Sequence, residues 1–214
     1  QLGEENYFPF SLNNEVVLPV SRQECCFITW TNEKTHRVVQ ENLENSALYG
    51  GMITGIGPRY CPSIETKIVK FPGHNKHIVF IEPEGRESVE MYPNGISNSF
   101  PKEIQLKMLR TIPGLENAEI TVPGYAVEYD VVEPTQITHS LMSKSISGLF
   151  FAGQIMGTSG YEEAAGLGLL AGINAANWIS KRESIIFTRD KSYIGVMIDD
   201  LVVSGVDEPY RLLT

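Results

Sequence analysis

The stretch GLFFAGQIMGTSGYEEAAGLGLLAGINAA, residues 148–176, constrains this chain more than any other. An apolar run at 148–153 hands over through small residues to a long helical pattern. Glycine weakens a helix by roughly 1 kcal/mol relative to alanine. A helix carrying Gly166, Gly168, Ala171, Gly172 and Ala175 is therefore expected to use that smooth face for close packing against a sheet. Ser159 followed by Glu162 fits a capping box and predicts a helix start near Gly160. The run GLFFAG before it reads as a buried strand.

Elsewhere the pattern mixes short strands and helices, an α/β composition. CCFITWT at 25–31 is β-prone and apolar and reads as a buried strand, with Cys25 and Cys26 in the core. Asn32 then caps a helix whose apolar face carries Val38, Val39 and Leu43. Gly and Pro through 50–67 predict a loop. HIVFIEPEG at 77–85 reads as a strand, and Pro93, Asn94 and Gly95 as a hairpin turn. Pro101 opens a helix with Ile104, Met108 and Ile112 on one face. GYAVEYDVV at 124–132 alternates like a strand, QITHSLM suggests another, and 190–204 suggests a further helix.

Composition narrows the class. The chain has 214 residues, 42% hydrophobic and 20% charged, enough for one or two domains with a core. The net charge of -9 argues against RNA or DNA binding by this piece alone, because phosphate contacts need clustered cations. Three cysteines, an odd number, fit a reducing compartment. No apolar run reaches the ~20 residues of a membrane span. His36, His74, His77 and His139 lack metal-ligand spacing and the cysteines form no CxxC, so no metal is expected. The chain opens on QLGEEN without Met and stops at EPYRLLT, which reads as a piece of a longer protein.

A strand, a small-residue turn and a helix N-terminus make a place where free N–H groups and the helix dipole face a ligand. A cofactor phosphate, ribityl hydroxyls or the pyrimidine edge of a flavin would suit it. A packed strand–helix pair with no ligand fits the spacing equally well.

The segment GLFFAGQ…GTSGYEEA…AGINAA resembles the flavin-closing segment of the MnmG/GidA family of tRNA uridine 5-carboxymethylaminomethyl modification enzymes. TNEKTH, GIGPRYCPSIETK, FIEPEG, YPNGIS, PGYAVEYD and DDLV…EPYR resemble the same family in the same order. The resemblance implies an α+β insertion domain with part of the FAD domain over 1–145. It implies the closing strand and helix of a Rossmann-like FAD/NAD(P)-binding domain over 146–182, and the start of a C-terminal helical domain over 183–214. The GxGxxG fingerprint of the first strand–helix unit is absent from this chain, and GGMITGIG does not supply it.

The implied activity is an aminomethyl-type modification at carbon 5 of a wobble uridine in tRNA. It would use FAD, NADH, methylene-tetrahydrofolate as carbon donor, and glycine or ammonium. A GTPase partner of the MnmE type, a homodimer, a cytoplasmic location and no membrane attachment are implied with it. Gln154 with Gly153, Gly157, Thr158, Gly160 and Glu162 would meet the FAD. Glu162 and Glu163 are acid–base candidates, although helix capping suits them better. Gly57, Pro58, Arg59, Tyr60, Cys61, Pro62, Ser63, Ile64, Glu65, Thr66, Lys67, Ile68, Val69, Lys70 and Phe71 correspond to the nicotinamide segment. Arg59, Lys67 and Lys70 offer charges for phosphates. Cys61 corresponds to the family's functional cysteine, as a nucleophile on uridine carbon 6 or a general acid/base near the flavin. Thr66, Met156 and Leu167 stand where the family usually has an acidic residue, Asn and Gln. A flavin disulfide or NAD(P)H reductase and a non-catalytic docking module for tRNA or a partner are the alternatives. The missing CxxC counts against the reductase.

Overall fold

The computed structural model describes residues 2–4, 7–9, 13, 17–55 and 62–212. The chain forms two compact units, one of residues 1–54 and 62–126, the other of 55–61 and 127–214. The fold is α/β: helices combine with a small antiparallel sheet.

In the first unit β1 (Phe27–Trp30), β2 (Ile78–Pro83) and β3 (Met91–Asn94) form an antiparallel sheet in that order. Val79 and Ile81 point from β2 into a core shared with Val38 and Val39 of α1 (Glu33–Glu41). Ile64 and Ile68 of α2 (Ile64–Lys70), with Met108 and Leu109 of α3 (Lys102–Leu109), complete it. The expected cap at Asn32 is present. Its side chain accepts from Lys34 and Thr35 N–H, and Thr35 bonds back to the Asn32 N–H. Asn32 Nδ2 also donates to Thr111 O at 2.6 Å, so the cap ties α1 to the end of α3. The Ile104–Met108–Ile112 face is inward, with Met108 and Ile112 buried.

Three readings of this unit need correction. β1 is an edge strand and largely exposed: Phe27 is 60% and Trp30 43% accessible, and Cys25 and Cys26 are only half-buried. The 50–67 loop ends early, because Ser63 caps α2 by accepting the Thr66 N–H. Pro93 and Asn94 lie within β3, with Pro93 opposite Ile81, and the hairpin closes over 84–90. Proline is tolerated there because β3 is the other edge and needs no second ladder.

The second unit is built on α4 (Tyr161–Ile179) and α5 (Tyr193–Asp199), the latter running into a π-turn at Asp200–Ser204. Leu167, Leu170 and Ala171 pack with Met197, Ile198, Leu201 and Ile137 in one core. Residues 146–182 and 183–212 thus share a hydrophobic centre. Asn174, fully buried, holds the chain beyond the helix. It donates to Ser140 O and Ile185 O and accepts the Ile185 N–H at 2.7 Å.

None of the three strands expected here forms a ladder among the described residues, and QITHSLM at 136–142 makes only the isolated bridges Ile137 to Ser143 and Met142 to Phe150. Residues 124–132 belong to no strand. The run 148–153 makes a single bridge, Met142 to Phe150, and its Phe150 and Phe151 are half-buried. Its backbone bonds go to residues 141–143, the Ser143 N–H donating to Leu149 O and the Phe151 N–H to Leu141 O, too few for a ladder. The smooth face of α4 also meets no sheet among the described residues. A side chain at Gly166 would touch Ile194 of α5 at 3.3 Å, whereas Gly168 and Gly172 have nothing within 4 Å. Among the described residues no helix is long and apolar enough to cross a membrane.

Ile64 is fully buried in the first core. Ile64→Ala should destabilise that unit by roughly 2–5 kcal/mol. Urea denaturation followed by circular dichroism checks this, with a lowered midpoint expected.

Candidate functional site

The loop before α4 is shaped by its backbone. Residues Gly153–Met156 form a 3₁₀ turn closed by the Gly157 N–H donating to Gln154 O at 2.8 Å. Gly153 and Gly157 hold φ of 81° and 84°, the left-handed region that a Cβ penalises. A Cβ at Gly157 would also lie 2.6 Å from Val206 Cγ2.

The loop is then strapped by the chain's far end. The Tyr210 N–H donates to Gly157 O at 2.8 Å, and Tyr210 O accepts the Ser159 N–H at 2.9 Å. Thr158 thereby pairs with Tyr210 as a parallel bridge. Ser159 Oγ donates to the same carbonyl at 3.1 Å. The expected capping box at Ser159 and Glu162 is therefore absent: the N-cap is Gly160, without a side-chain cap.

Moving the cap by one residue makes Glu163, rather than Glu162, the carboxylate turned inward. Glu163 is 2% exposed. Its Oε1 accepts the Leu212 N–H at 2.8 Å and stands 3.7 Å from Arg211 Nε. Its Oε2 lies over Gly160, where a Cβ would come within 1.7 Å. Gly160 is required for this close approach, since its φ of -110° suits any residue. Glu162 stays outside, its side chain 77% exposed and 3.5 Å from Arg211 Nη2.

The structure therefore gathers Gly153, Gln154, Gly157, Thr158 and Gly160 in one short loop, all buried but the half-buried Gln154. Thr158 is 1% exposed, and its hydroxyl has no partner among the described residues. The first N–H groups of α4 lack intrahelical acceptors. The Glu163 carboxylate already occupies the positive end of the helix, which disfavours a second full anion there. Of the three ligand groups that suit the sequence, a neutral polar edge or hydroxyl fits this geometry better than a phosphate.

Tyr210, Arg211 and Leu212 escape a purely local reading of the sequence. The signal that marks them is DDLV…EPYR. Tyr210 Oη donates to Asp200 Oδ2 at 2.7 Å, and burial, then Asp200, pushes its phenol well above the ordinary value. Arg189 bridges Asp200 and Asp199, and His139 reaches Asp199 Oδ1 at 3.1 Å. The His139 bond, then Arg189, holds the Asp199 carboxyl below its usual range.

The other candidate segment belongs partly to the first unit. Gly57, Pro58, Arg59, Tyr60 and Cys61 lie outside the described residues. Pro62 and Ser63 are half-buried and lead into α2. Ile64, Glu65 and Ile68 are buried, and Glu65 Oε1 accepts from Ser99 N–H and Oγ at 2.8 and 3.0 Å. Their side chains serve the fold of the segment. Thr66 is half-buried and shares a hydrogen bond with Ser63. Lys67 Nζ donates to Gly95 O at 2.7 Å, while Val69, Lys70 and Phe71 face solvent.

Beside that helix Phe71 stacks on His74, and His77 lies 6.0 Å from His74 and 5.3 Å from His36 between ring centroids. His36 bonds Thr31 Oγ1, a polar structural role. Burial lowers the pKa of His36 against a raising influence from Glu33. Burial lowers that of His77 too, assisted by His36, Lys67 and His74. Among the described residues no group of three or more His, Cys, Asp or Glu is arranged to hold a metal ion.

Two outcomes follow from this geometry. Gly157→Ala should cost about 1–2 kcal/mol from the left-handed backbone alone, and more from Val206, read as a lowered urea midpoint. The lowered histidine pKa values mean that the unfolded state binds protons more readily. The stability they contribute is full above pH ~6.5 and is lost as pH falls below it, through the native values. Urea midpoints of the first unit should drop between pH 7.5 and 5.5, and the drop should shrink in His77→Gln.

A family model described as glucose inhibited division protein A matches residues 1–183. A protein of Thermodesulfovibrio yellowstonii named tRNA uridine 5-carboxymethylaminomethyl modification enzyme MnmG is 56% identical over 214 residues, covering 100% of this chain and 34% of its own length. The enzyme of that name from Aquifex aeolicus is 59% identical over 189 residues, 88% of this chain and 31% of its own. The form I crystal structure of Aquifex aeolicus GidA superposes with a TM-score of 0.76 at 59% identity, over 87% of this chain and 31% of that one. This chain thus spans about a third of the length of the curated relatives it matches. With that identity along nearly its whole length and the same fold, the chain belongs to the glucose-inhibited division protein A (MnmG) family.

Proposed function

We propose that this chain is the flavin-closing part of an FAD-dependent enzyme that modifies carbon 5 of a wobble uridine in tRNA. The observation that carries the reading is the loop 153–160: two glycines in the left-handed region, a buried unpartnered Thr158 hydroxyl and a helix N-terminus come together there. That set fits a neutral edge of FAD, with Gly153, Gly157, Thr158 and Gly160 permitting backbone approach. Gln154 adds an amide that both donates and accepts. Glu162 lies at the outer rim and is the weakest of the six assignments, because its side chain is exposed. When bound, FAD would supply the redox step.

The relatives' name identifies tRNA uridine as their substrate, and the remaining assignments follow the family resemblance. NADH is the proposed reductant, with residues 57–71 on its side of the enzyme. In α2 only the side chains outside the core are left to face it. Cys61 is assigned the thiol that meets the uridine or the flavin. Methylene-tetrahydrofolate as carbon donor, glycine or ammonium, an MnmE-type GTPase, a homodimer and a cytoplasmic location complete the proposal. The net charge of -9 supports a reading in which tRNA phosphate contacts lie mostly on other parts of the enzyme.

The test is the visible absorbance of the parent enzyme, before and after anaerobic NADH. A flavin spectrum that bleaches is expected. A colourless protein that also fails to take up added FAD would overturn the proposal.

A further inference from the structure

Glu163 is part of no step proposed above, yet it is the most enclosed carboxylate of the second unit. It acts on the loop from one side and the strap acts from the other. Oε2 lies over Gly160, while Oε1 accepts from Leu212 and draws Arg211 inward. The residue before them, Tyr210, takes both the Gly157 carbonyl and the Ser159 N–H. The segment 157–160 is therefore held by main-chain bonds whose register is fixed by one carboxylate. Glu162 reaches Arg211 from the solvent side.

We propose that Glu163 is a positioning residue for the flavin loop, acting through residues 210–212. The inference rests on the reading of 153–160 as the FAD loop. In the absence of the carboxylate, Leu212 N–H and Arg211 lose their inward partner and Tyr210 loses its register. The loop then samples conformations in which the Thr158 hydroxyl and the helix N–H groups no longer face the cofactor together.

The test uses the full-length parent enzyme and FAD titration by quenching of flavin fluorescence. Glu163→Ala should weaken FAD binding about tenfold or more, the scale of losing one hydrogen bond to a charged group. Glu163→Gln should recover part of the loss, because its amide oxygen still accepts the Leu212 N–H while the charge pairing with Arg211 is gone. The apo-protein unfolding midpoint of Glu163→Gln should match wild type. An affinity for FAD within about twofold of wild type in Glu163→Ala overturns the inference, as does equal weakening in the Ala and Gln variants. Should Glu163→Ala not fold, Arg211→Gln carries the test. Weakened FAD binding at a wild-type unfolding midpoint supports the inference, and unchanged binding overturns it. A wild-type enzyme that binds no FAD overturns the underlying reading and the inference with it, and is told apart by failing before any substitution.

Discussion

The buried carboxylate of Glu163 organises the second unit. Removing a carboxylate from water costs several kcal/mol unless hydrogen bonds and opposite charge offset it. Oε1 meets the Leu212 N–H and the Arg211 guanidinium, and the carboxylate sits at the positive end of α4, while Oε2 is buried with no hydrogen-bond partner among the described residues. Leu212 and Arg211 bring the far end of the chain to the start of α4. The position of Tyr210 follows, and its hydroxyl continues the network to Asp200, Arg189, Asp199 and His139. A phenol is protonated through the neutral range and so donates to Asp200 there, and burial extends that state to higher pH. A chain of polar contacts thus runs from residue 139 to residue 211, beside an apolar core that supplies the bulk of the burial.

The first unit uses a similar device. Glu65 is fully buried in α2 and receives both the N–H and the hydroxyl of Ser99. Gln105 of α3 donates to Phe100 O and Gly124 O and accepts the Gly124 N–H. In each case a side chain on a helix satisfies backbone groups of a segment that has no ladder of its own. The unit has three strands among the described residues, so its irregular segments depend on such bonds to bury their peptide groups.

What the sequence made legible was what a single turn decides. Asn32 and Thr35 sit three residues apart and their capping box needs no other chain segment. The Ile104, Met108 and Ile112 spacing is likewise internal to α3 and the turn that follows it. Strands were read less well, because an apolar β-prone run says nothing of its neighbours. Residues 148–153 have no ladder and β1 lies at an edge. The helix α2 was hidden by the Gly and Pro before it, although Ser63 as cap and Ile64 with Ile68 at i, i+4 were a sufficient signal. At the site, the glycines and the helix start were legible. The frame of the cap was not: Ser159 is bound to Tyr210, 51 residues away, and that bond shifts the inward carboxylate from Glu162 to Glu163.

The departures from the family pattern bear on what kind of site this is. Met156 and Leu167 stand where Asn and Gln are usual in the resemblance, and both are completely buried in the apolar core. Apolar residues there spare the unit two buried amides that would each need partners. They leave the loop itself untouched, because its shape is set by backbone dihedrals at Gly153 and Gly157 and by main-chain bonds to Tyr210. A site defined by backbone tolerates side-chain change around it. It does not tolerate a Cβ at Gly157 or Gly160, where Val206 and Glu163 already fill the space. The sequence requirement is therefore narrow in position and broad in chemistry: small residues at the turn, one carboxylate three residues beyond Gly160, and a strap to receive it.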